Sequence, residues 1–247
     1  MEIKGKVHCF FEQSGTFKNE FKKLGYEAED YDIQNGAGAI AMDVNTGAIL
    51  AMASMPDFEP LKFGHTPDAV KINKAVNFNY EPGSVMKVIT VASAIDAGFT
   101  SPGTVYSTDR FDKRYYKLPG DGSHKWEPTM TVKDAVVHSS NIVIGKLAYD
   151  FGPKRLWTYM KKFGFGEQTG IELPGEQYGI LPNPRKRMWD KASQSRAGIG
   201  QFVAVTAIQM CSAYQAIAND GLRMRPYLVD RIVEANGIES HRHSPTP

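Results

Sequence analysis

The sequence has little of what marks the more specialised classes of protein. Its 247 residues include only two cysteines, Cys9 and Cys211, which lack metal-binding spacing and stand among apolar residues. We therefore interpret both as free core thiols. No apolar run approaches the roughly 18 residues of a membrane span. The formal net charge is only +2 and the basic residues are dispersed, so no nucleic-acid partner is expected.

The amino terminus also lacks the pattern of a targeting segment. Glu2, Lys4 and Lys6 precede an apolar run that covers only Val7–Phe11, which is too short for a signal peptide. With 42% hydrophobic residues, the chain can still bury the core of one mid-sized domain.

Residues 1–35 differ in character from the rest and are predicted to form a short N-terminal βαβ-like segment of unclear role. Residues 5–11 predict a buried strand, residues 16–24 a helix closed by Gly25, and residues 26–33 a second strand. With Ser14-Gly15-Thr16 after the first strand, this order weakly resembles the cofactor-binding start of S-adenosylmethionine-dependent DNA methyltransferases. So short a segment cannot build the pocket, so no methyltransferase activity is expected. An extra segment packed on the main domain is the alternative.

A continuous pattern begins near Gly38. Residues 39–44 and 48–54 predict two strands joined by the hairpin turn Asn45-Thr46-Gly47. The later elements are predicted as helices at 84–97, 131–138, 142–151, 153–163 and 206–219, and a strand at 227–234 before the hairpin signal Asn236-Gly237. Residues 241–247 are predicted to be a disordered tail, whose His241 and His243 bind no metal.

A serine and a lysine stand three residues apart, Ser84 and Lys87, directly after Pro82-Gly83. The residues after them are apolar almost all round, which is typical of a buried helix. Ser84 then lies at the helix N-terminus with Lys87 one turn along on the same face, where burial lowers the lysine pKa and favours the neutral amine. A neutral amine beside a hydroxyl is a general base beside a nucleophile. The alternative is a capping serine and a lysine that reaches water.

A second polar group, Ser139 and Asn141, stands in the turn between two predicted helices. A hydroxyl and a carboxamide two residues apart on such a turn can project the same way. Taken alone, the cluster is better explained by helix capping. Together with Ser84 and Lys87 it supplies two of the three motifs of the penicillin-recognising serine enzymes.

From about Gly38 to Asn236 the chain resembles the transpeptidase domain of class B penicillin-binding proteins. The resemblance rests on five ordered segments: AIAMDVNTGAILAMASMPDF (39–58), NYEPGSVMK (79–87), HSSNIVIGKLA (138–148), FGFGEQTGIELPGEQYGILP (163–182) and GIGQFVAVTAIQM (198–210). It implies an α+β (α/β sandwich) fold of the β-lactamase/transpeptidase-like kind, with an antiparallel sheet and a helical subdomain. The predicted limits of this partial domain are residues 36–240.

The resemblance implies a role for each of four residues. Ser84 is the expected nucleophile toward a D-Ala-D-Ala peptide bond or a β-lactam, and Lys87 the base that takes its proton. Ser139 would relay a proton toward the leaving amine, while Asn141 would hold Lys87 and the substrate amide. The Ser84 N–H would supply half of an oxyanion hole. No metal or organic cofactor is implied.

The third family motif, Lys-Ser/Thr-Gly, does not occur in the sequence. In the family it lies on the central strand, binds the substrate carboxylate and supplies the second oxyanion N–H. We therefore expect a chain truncated before this motif, with an incomplete fold and impaired activity. The family's N-terminal anchor and pedestal domain are likewise not recognisable here.

Three functions remain open. The first is a serine D,D-transpeptidase that cross-links peptidoglycan stem peptides and is the target of penicillin. The second is a non-catalytic penicillin-binding module. A β-lactamase is the third and weakest, because residues 163–182 resemble a transpeptidase and no deacylating glutamate is identifiable. By family, the partners are stem peptides, β-lactams and a cell-wall synthesis complex with a glycosyltransferase, and the location is the extracytoplasmic face of the cell membrane.

Overall fold

The structure, a computed structural model, describes residues 6–11, 37–186 and 189–247. The strands are β1 (Lys6–Phe11), β2 (Ala37–Asp43), β3 (Ile49–Met55), β4 (Val105–Ser107), β5 (Thr129–Thr131), β6 (Arg231–Val233) and β7 (Glu239–Arg242). The helices are α1 (Asp68–Lys71), α2 (Lys74–Asn77), α3 (Met86–Asp96), α4 (Val132–Val137), α5 (Asn141–Phe151), α6 (Pro153–Lys162), α7 (Lys191–Gly198) and α8 (Ala207–Ala218). The described residues fall into two compact units. The first contains the described residues within 1–79, 167–178 and 206–247, and the second those within 80–166 and 179–205.

The first unit contains an antiparallel sheet in the order β1-β2-β3. The predicted β2–β3 hairpin is confirmed. The Asp43 carboxylate accepts hydrogen bonds from the N–H groups of Asn45 (3.1 Å) and Thr46 (2.8 Å), which fixes the turn. Gly47 has φ +80°, and a Cβ there would lie 2.5 Å from the Arg225 carbonyl oxygen, so only glycine fits.

The first described strand belongs to this sheet. β1 runs antiparallel to β2, with Lys6 opposite Asp43 and Phe11 opposite Gly38. In a βαβ unit the two strands run parallel, so the antiparallel pair β1–β2 is not such a unit. The helix predicted at 16–24, the strand at 26–33 and the methyltransferase-like Ser14-Gly15-Thr16 lie outside the described residues. The boundary at residue 35 stays a prediction.

The core of the first unit lies between the sheet and α8. Ile40 and Met42 of β2 pack with Ile208 and Cys211 of α8 in one buried cluster. Cys211 is a free, fully buried thiol, which confirms that prediction, whereas the one for Cys9 stays a prediction. The helix predicted at 206–219 is confirmed as α8, whose capping box joins Thr206 and Gln209.

The C-terminal residues correct two expectations. The strand predicted at 227–234 is shorter, because only Arg231–Val233 forms β6 and Tyr227 makes an isolated bridge to Ala48. Instead of a disordered tail from residue 241, β7 (Glu239–Arg242) pairs with β6 across the Asn236-Gly237 turn.

Beyond β7, the His243 ring stacks on Tyr227 at 3.7 Å between centroids, and the Thr246 carbonyl accepts from the Arg225 N–H at 2.8 Å. The Asn236-Gly237 turn was predicted, but the polar composition of Glu239–Arg242 concealed the second strand, because an exposed two-stranded ribbon needs no apolar face.

The second unit is mainly helical and carries the predicted serine–lysine helix. Helices α3 to α6 confirm the four helices predicted between residues 84 and 163. α3 is buried on most of its circumference, and its Thr90 hydroxyl donates to the Gly198 carbonyl at 2.8 Å. Helix α7, which was not predicted, packs so closely on α5 that a Cβ at Gly198 would clash with the Ala148 side chain.

No helix in the described part of the chain combines the length and the apolar character that crossing a membrane requires.

Candidate active site

Ser84 lies in a single 3₁₀ turn, Gly83–Val85, immediately before α3. Gly83 has φ +58°, a conformation that glycine adopts without strain, and it turns the chain into the helix. The Gly83 N–H donates to the Gly200 carbonyl at 2.9 Å, and a Cβ at Gly200 would clash with the Gly83 carbonyl oxygen. This contact supports the turn from behind, while Ser84 itself is exposed.

Lys87 lies in the first turn of α3 and is only 2% exposed. Its Nζ donates to the Ser139 carbonyl oxygen at 2.5 Å and to the Ser139 hydroxyl at 2.9 Å. Burial lowers the lysine pKa to about 8, and the negative charge of Asp121 partly opposes this shift by raising it. The predicted buried lysine is therefore present, with two neutral oxygens as its hydrogen-bond partners.

Ser139 occupies the turn between α4 and α5. Its φ of +54° is uncommon for a residue other than glycine. The turn is held by hydrogen bonds from the Ser139 N–H to the Val136 carbonyl (3.1 Å) and from the Ser140 N–H to the Ala135 carbonyl (2.9 Å). Both Ser139 oxygens thereby face Lys87, so the structure brings together two residues that stand 52 positions apart.

Asn141 is the first residue of α5, and its side chain is aimed differently from the prediction. Its Nδ2 donates to the Gly120 carbonyl at 2.7 Å, and among the described residues no hydrogen bond joins it to Lys87. The capping role suggested for this cluster belongs to Ser140, whose hydroxyl accepts from the Val143 N–H at 3.2 Å. The Asn141 side chain is therefore not needed as a cap.

Asp121 is the residue that sequence reasoning missed. One carboxylate oxygen accepts from the Ser140 hydroxyl at 2.7 Å and from Trp126 Nε1 at 2.8 Å. The other accepts from the N–H groups of Asn141 and, at 3.3 Å, Ile142. A negative charge at the N-terminus of α5 is also favourable to the helix dipole. Asp121 thus fixes the start of the helix that carries the Ser139–Asn141 motif.

The only sequence signal for Asp121 was its setting in Pro119-Gly120-Asp121-Gly122, which indicates a turn. A turn signal does not tell which group a carboxylate faces, here a helix about twenty residues later in the chain. No group of three or more histidine, cysteine, aspartate or glutamate side chains able to hold a metal occurs in the residues that the structure describes.

The chain matches the model of the penicillin binding protein transpeptidase domain over residues 37–247. It therefore belongs to this family, as the serine–lysine helix and the Ser139–Asn141 turn led us to expect.

Two curated relatives illustrate the similarity. Penicillin-binding protein PbpB of Mycolicibacterium smegmatis is 33% identical over 88% of this chain and 34% of the relative. Stage V sporulation protein D of Bacillus subtilis is 34% identical over 81% of this chain and 31% of the relative. The chain thus spans about a third of the length of these relatives.

The fold is also that of solved family members. Penicillin binding protein 3 of Mycobacterium tuberculosis complexed with aztreonam is 32% identical, with a TM-score of 0.73 over 84% of this chain and 47% of that protein. Its complex with ampicillin gives a TM-score of 0.71. The predicted β-lactamase/transpeptidase-like fold is confirmed.

Proposed function

We propose that this chain performs the acyl-transfer chemistry of a serine D,D-transpeptidase, with Ser84, Lys87, Ser139 and Asn141 as its working residues. Several relatives bear this activity in their names, among them the peptidoglycan D,D-transpeptidase MrdA of Acinetobacter baumannii. The observation that carries the proposal is Lys87: a buried amine with a pKa lowered to about 8, one helical turn after an exposed serine.

The first step is acylation. The Ser84 hydroxyl oxygen attacks the carbonyl carbon of the D-Ala–D-Ala bond while its proton passes to the neutral Lys87 amine. The C–N bond of the tetrahedral intermediate then breaks, the leaving D-alanine amine takes up a proton, and an ester to Ser84 remains. Because Lys87 Nζ lies 2.9 Å from the Ser139 hydroxyl, that hydroxyl is a suitable relay for this proton.

The second step is transfer. The neutral amine of a neighbouring stem peptide attacks the ester carbonyl and gives up a proton to the Lys87 amine. A new amide forms as the Ser84 oxygen leaves, and the Lys87 ammonium returns that proton to it. During both steps, the Ser84 N–H in the turn before α3 would stabilise the oxyanion. Asn141, anchored on the Gly120 carbonyl, would present its side-chain oxygen to a substrate amide N–H.

A β-lactam would enter the same first step, because its strained amide presents an equivalent carbonyl to Ser84. The crystallised relatives complexed with ampicillin and aztreonam support this extension. By family, the reaction would take place at the extracytoplasmic face of the membrane, beside a glycosyltransferase of the cell-wall synthesis complex.

A second candidate is a penicillin-binding module that forms the acyl-enzyme without transferring the acyl group. It needs only the features already described, an exposed Ser84 and the buried amine of Lys87 one helical turn later. The two candidates share Ser84 acylation and differ in the fate of the acyl group.

The test is labelling of the full chain with a fluorescent penicillin, followed by peptide mapping of the adduct. We expect labelling at Ser84 that disappears in Ser84→Ala and persists in Ser101→Ala, a matched control at an exposed loop serine. Adding a D-amino acid or an acceptor peptide to a chain acylated by a donor thioester then separates the candidates. Transfer product supports the transpeptidase, and a persistent ester supports the module.

Absence of labelling in protein shown to be folded by circular dichroism would contradict both candidates. Labelling that survives Ser84→Ala would contradict the assignment of the nucleophile.

A further inference from the structure

A cavity of about 590 Å³ in the second unit has a strongly basic lining. We call it the basic cavity. In the described part of the chain, its charged lining residues are Arg110, Lys113, Lys117, Arg196 and a single acid, Asp112. Its volume falls in the range of pockets that hold small molecules.

The basic cavity adjoins the backbone of the candidate active site on two sides. Its lining residue Pro119 precedes Gly120, whose carbonyl accepts from the Asn141 side chain at 2.7 Å. Its lining residue Gln201 follows Gly200, whose carbonyl accepts from the Gly83 N–H at 2.9 Å. The basic cavity therefore begins next to the backbone that supports Ser84 and Asn141.

Arg110 connects the cavity to the site most closely. A Cβ at Gly120 would lie 2.7 Å from the Arg110 Nη1 atom, so the guanidinium rests against the backbone that anchors Asn141. The space over Gly120 is thus occupied by a cation.

The described lining does not neutralise the positive charge of the cavity. The Asp112 carboxylate is 3.6 Å from Nζ of the buried Lys146, with which it forms an ion pair. Asp190, which caps α7 and lies outside the lining, interacts electrostatically with Arg196 and offsets part of the charge of that one cation. Among the described lining residues, four cations therefore surround a space whose one carboxylate is paired with a lysine outside the lining.

We propose that the basic cavity binds a free carboxylate of the stem peptide, on a residue before the D-Ala-D-Ala end, and so favours acidic stems over amidated ones. The inference rests on the proposed function for the identity of the peptide. The preference for a free carboxylate rests on the charge and the position of the cavity. The exposed Phe111 ring in the lining offers an apolar surface to the rest of the peptide.

The experiment is a fluorescence anisotropy titration of the full chain carrying Ser84→Ala, so that no acylation occurs. The probes are two dye-labelled pentapeptides, L-Ala-γ-D-Glu-L-Lys-D-Ala-D-Ala with a free glutamate α-carboxylate and the same peptide with that carboxylate amidated. Because exposed charge pairs contribute little each, we expect the acid to bind roughly two- to fivefold tighter than the amide. The preference should shrink as salt is raised.

The decisive comparison uses two double variants. Arg110→Gln with Lys117→Gln should bring the acid-to-amide affinity ratio close to one. The matched control, Lys133→Gln with Lys154→Gln, removes two exposed cations outside the cavity and should leave the ratio unchanged.

Equal affinity for the two peptides in the parent protein, equal loss in both double variants, or no binding of either peptide at millimolar concentration would overturn the inference. Penicillin labelling of Ser84 is read separately. If Ser84 is labelled but the two peptides bind equally, only the assignment of the basic cavity is contradicted. If the acid binds more tightly but Ser84 is not labelled, only the catalytic proposal is contradicted.

Discussion

Two lysines of the second unit are almost equally buried but are paired differently. Lys87 on α3 is 2% exposed and donates to two neutral oxygens of Ser139. Lys146 on α5 is 1% exposed and donates to the Ser107 carbonyl at 2.9 Å. Its Nζ also lies 3.6 Å from the Asp112 carboxylate and 5.0 Å from the centre of the Tyr115 ring.

The difference shows that burial alone does not make a lysine a base. Lys146 forms an ion pair with Asp112 and donates to the Ser107 carbonyl, so it is suited to hold these segments together. Within the described residues Lys87 has no carboxylate in hydrogen-bond contact, and burial lowers its pKa to about 8. The sequence does not distinguish the two, because both stand in apolar helices.

The largest expected effect is on acylation. Lys87→Met should slow acylation by a fluorescent penicillin by about 10²–10⁴-fold, since general base catalysis contributes that much. Lys146→Met is the matched change at an almost equally buried lysine. It should alter the acylation rate by less than about threefold when equal amounts of folded protein are compared. The acylation rate constants of both variants are measured by gel fluorescence of samples quenched at fixed times. A similar loss in the two variants would remove the distinction between them.

The pH dependence of acylation is the next largest effect. The neutral amine is the reactive form, and it accumulates as pH rises through the Lys87 pKa of about 8. The acylation rate should therefore fall about tenfold per pH unit below 8, or roughly a hundredfold at pH 6 relative to the plateau. A rate that is flat between pH 6 and 9 would contradict the role of Lys87 as base.

The structural lysine should be the one that governs stability. Lys146→Met leaves Asp112 unpaired and the Ser107 carbonyl without its donor, and we expect a loss of about 1–3 kcal/mol in the free energy of unfolding. The loss should stay below that of a fully buried pair because the Asp112 side chain is 35% exposed and can be rehydrated. Urea unfolding followed by circular dichroism checks this, and an unchanged midpoint would contradict it.

The smallest effect is expected from Asp121→Asn. This change removes the charge that raises the Lys87 pKa, so the midpoint of the acylation pH profile should move to lower pH. An amide nitrogen would also face Trp126 Nε1, which can only donate, so the start of α5 should lose stability. Asp109→Asn is the matched control, because its carboxylate caps a turn that an amide oxygen serves equally well. A midpoint that does not move would exclude an electrostatic role.

Local patterns predicted much of the fold, and part of the site was beyond their reach. Helices α3 to α6 and the β2–β3 hairpin followed from apolar periodicity and turn residues. Helix α7 did not, because its buried residues are small and polar, such as Ser193 and Ser195, so that no apolar stripe marks it.

The candidate site shows the same limit. Ser84 and Lys87 are close in sequence, and their spacing predicted their shared helical face. The contact of Lys87 with Ser139 and the support from Asp121 join distant segments. No local pattern encodes which loop faces which helix end, so these contacts required the structure.

The most direct test of the distinction between the two lysines is an NMR titration of the intact chain labelled with ¹³C and ¹⁵N in its lysine side chains. The Lys87→Met spectrum assigns the Lys87 signal. The Lys87 Cε resonance is expected to titrate with a midpoint near pH 8, well below the 10.5 of an ordinary lysine. A Lys87 midpoint near 10.5 would contradict the account.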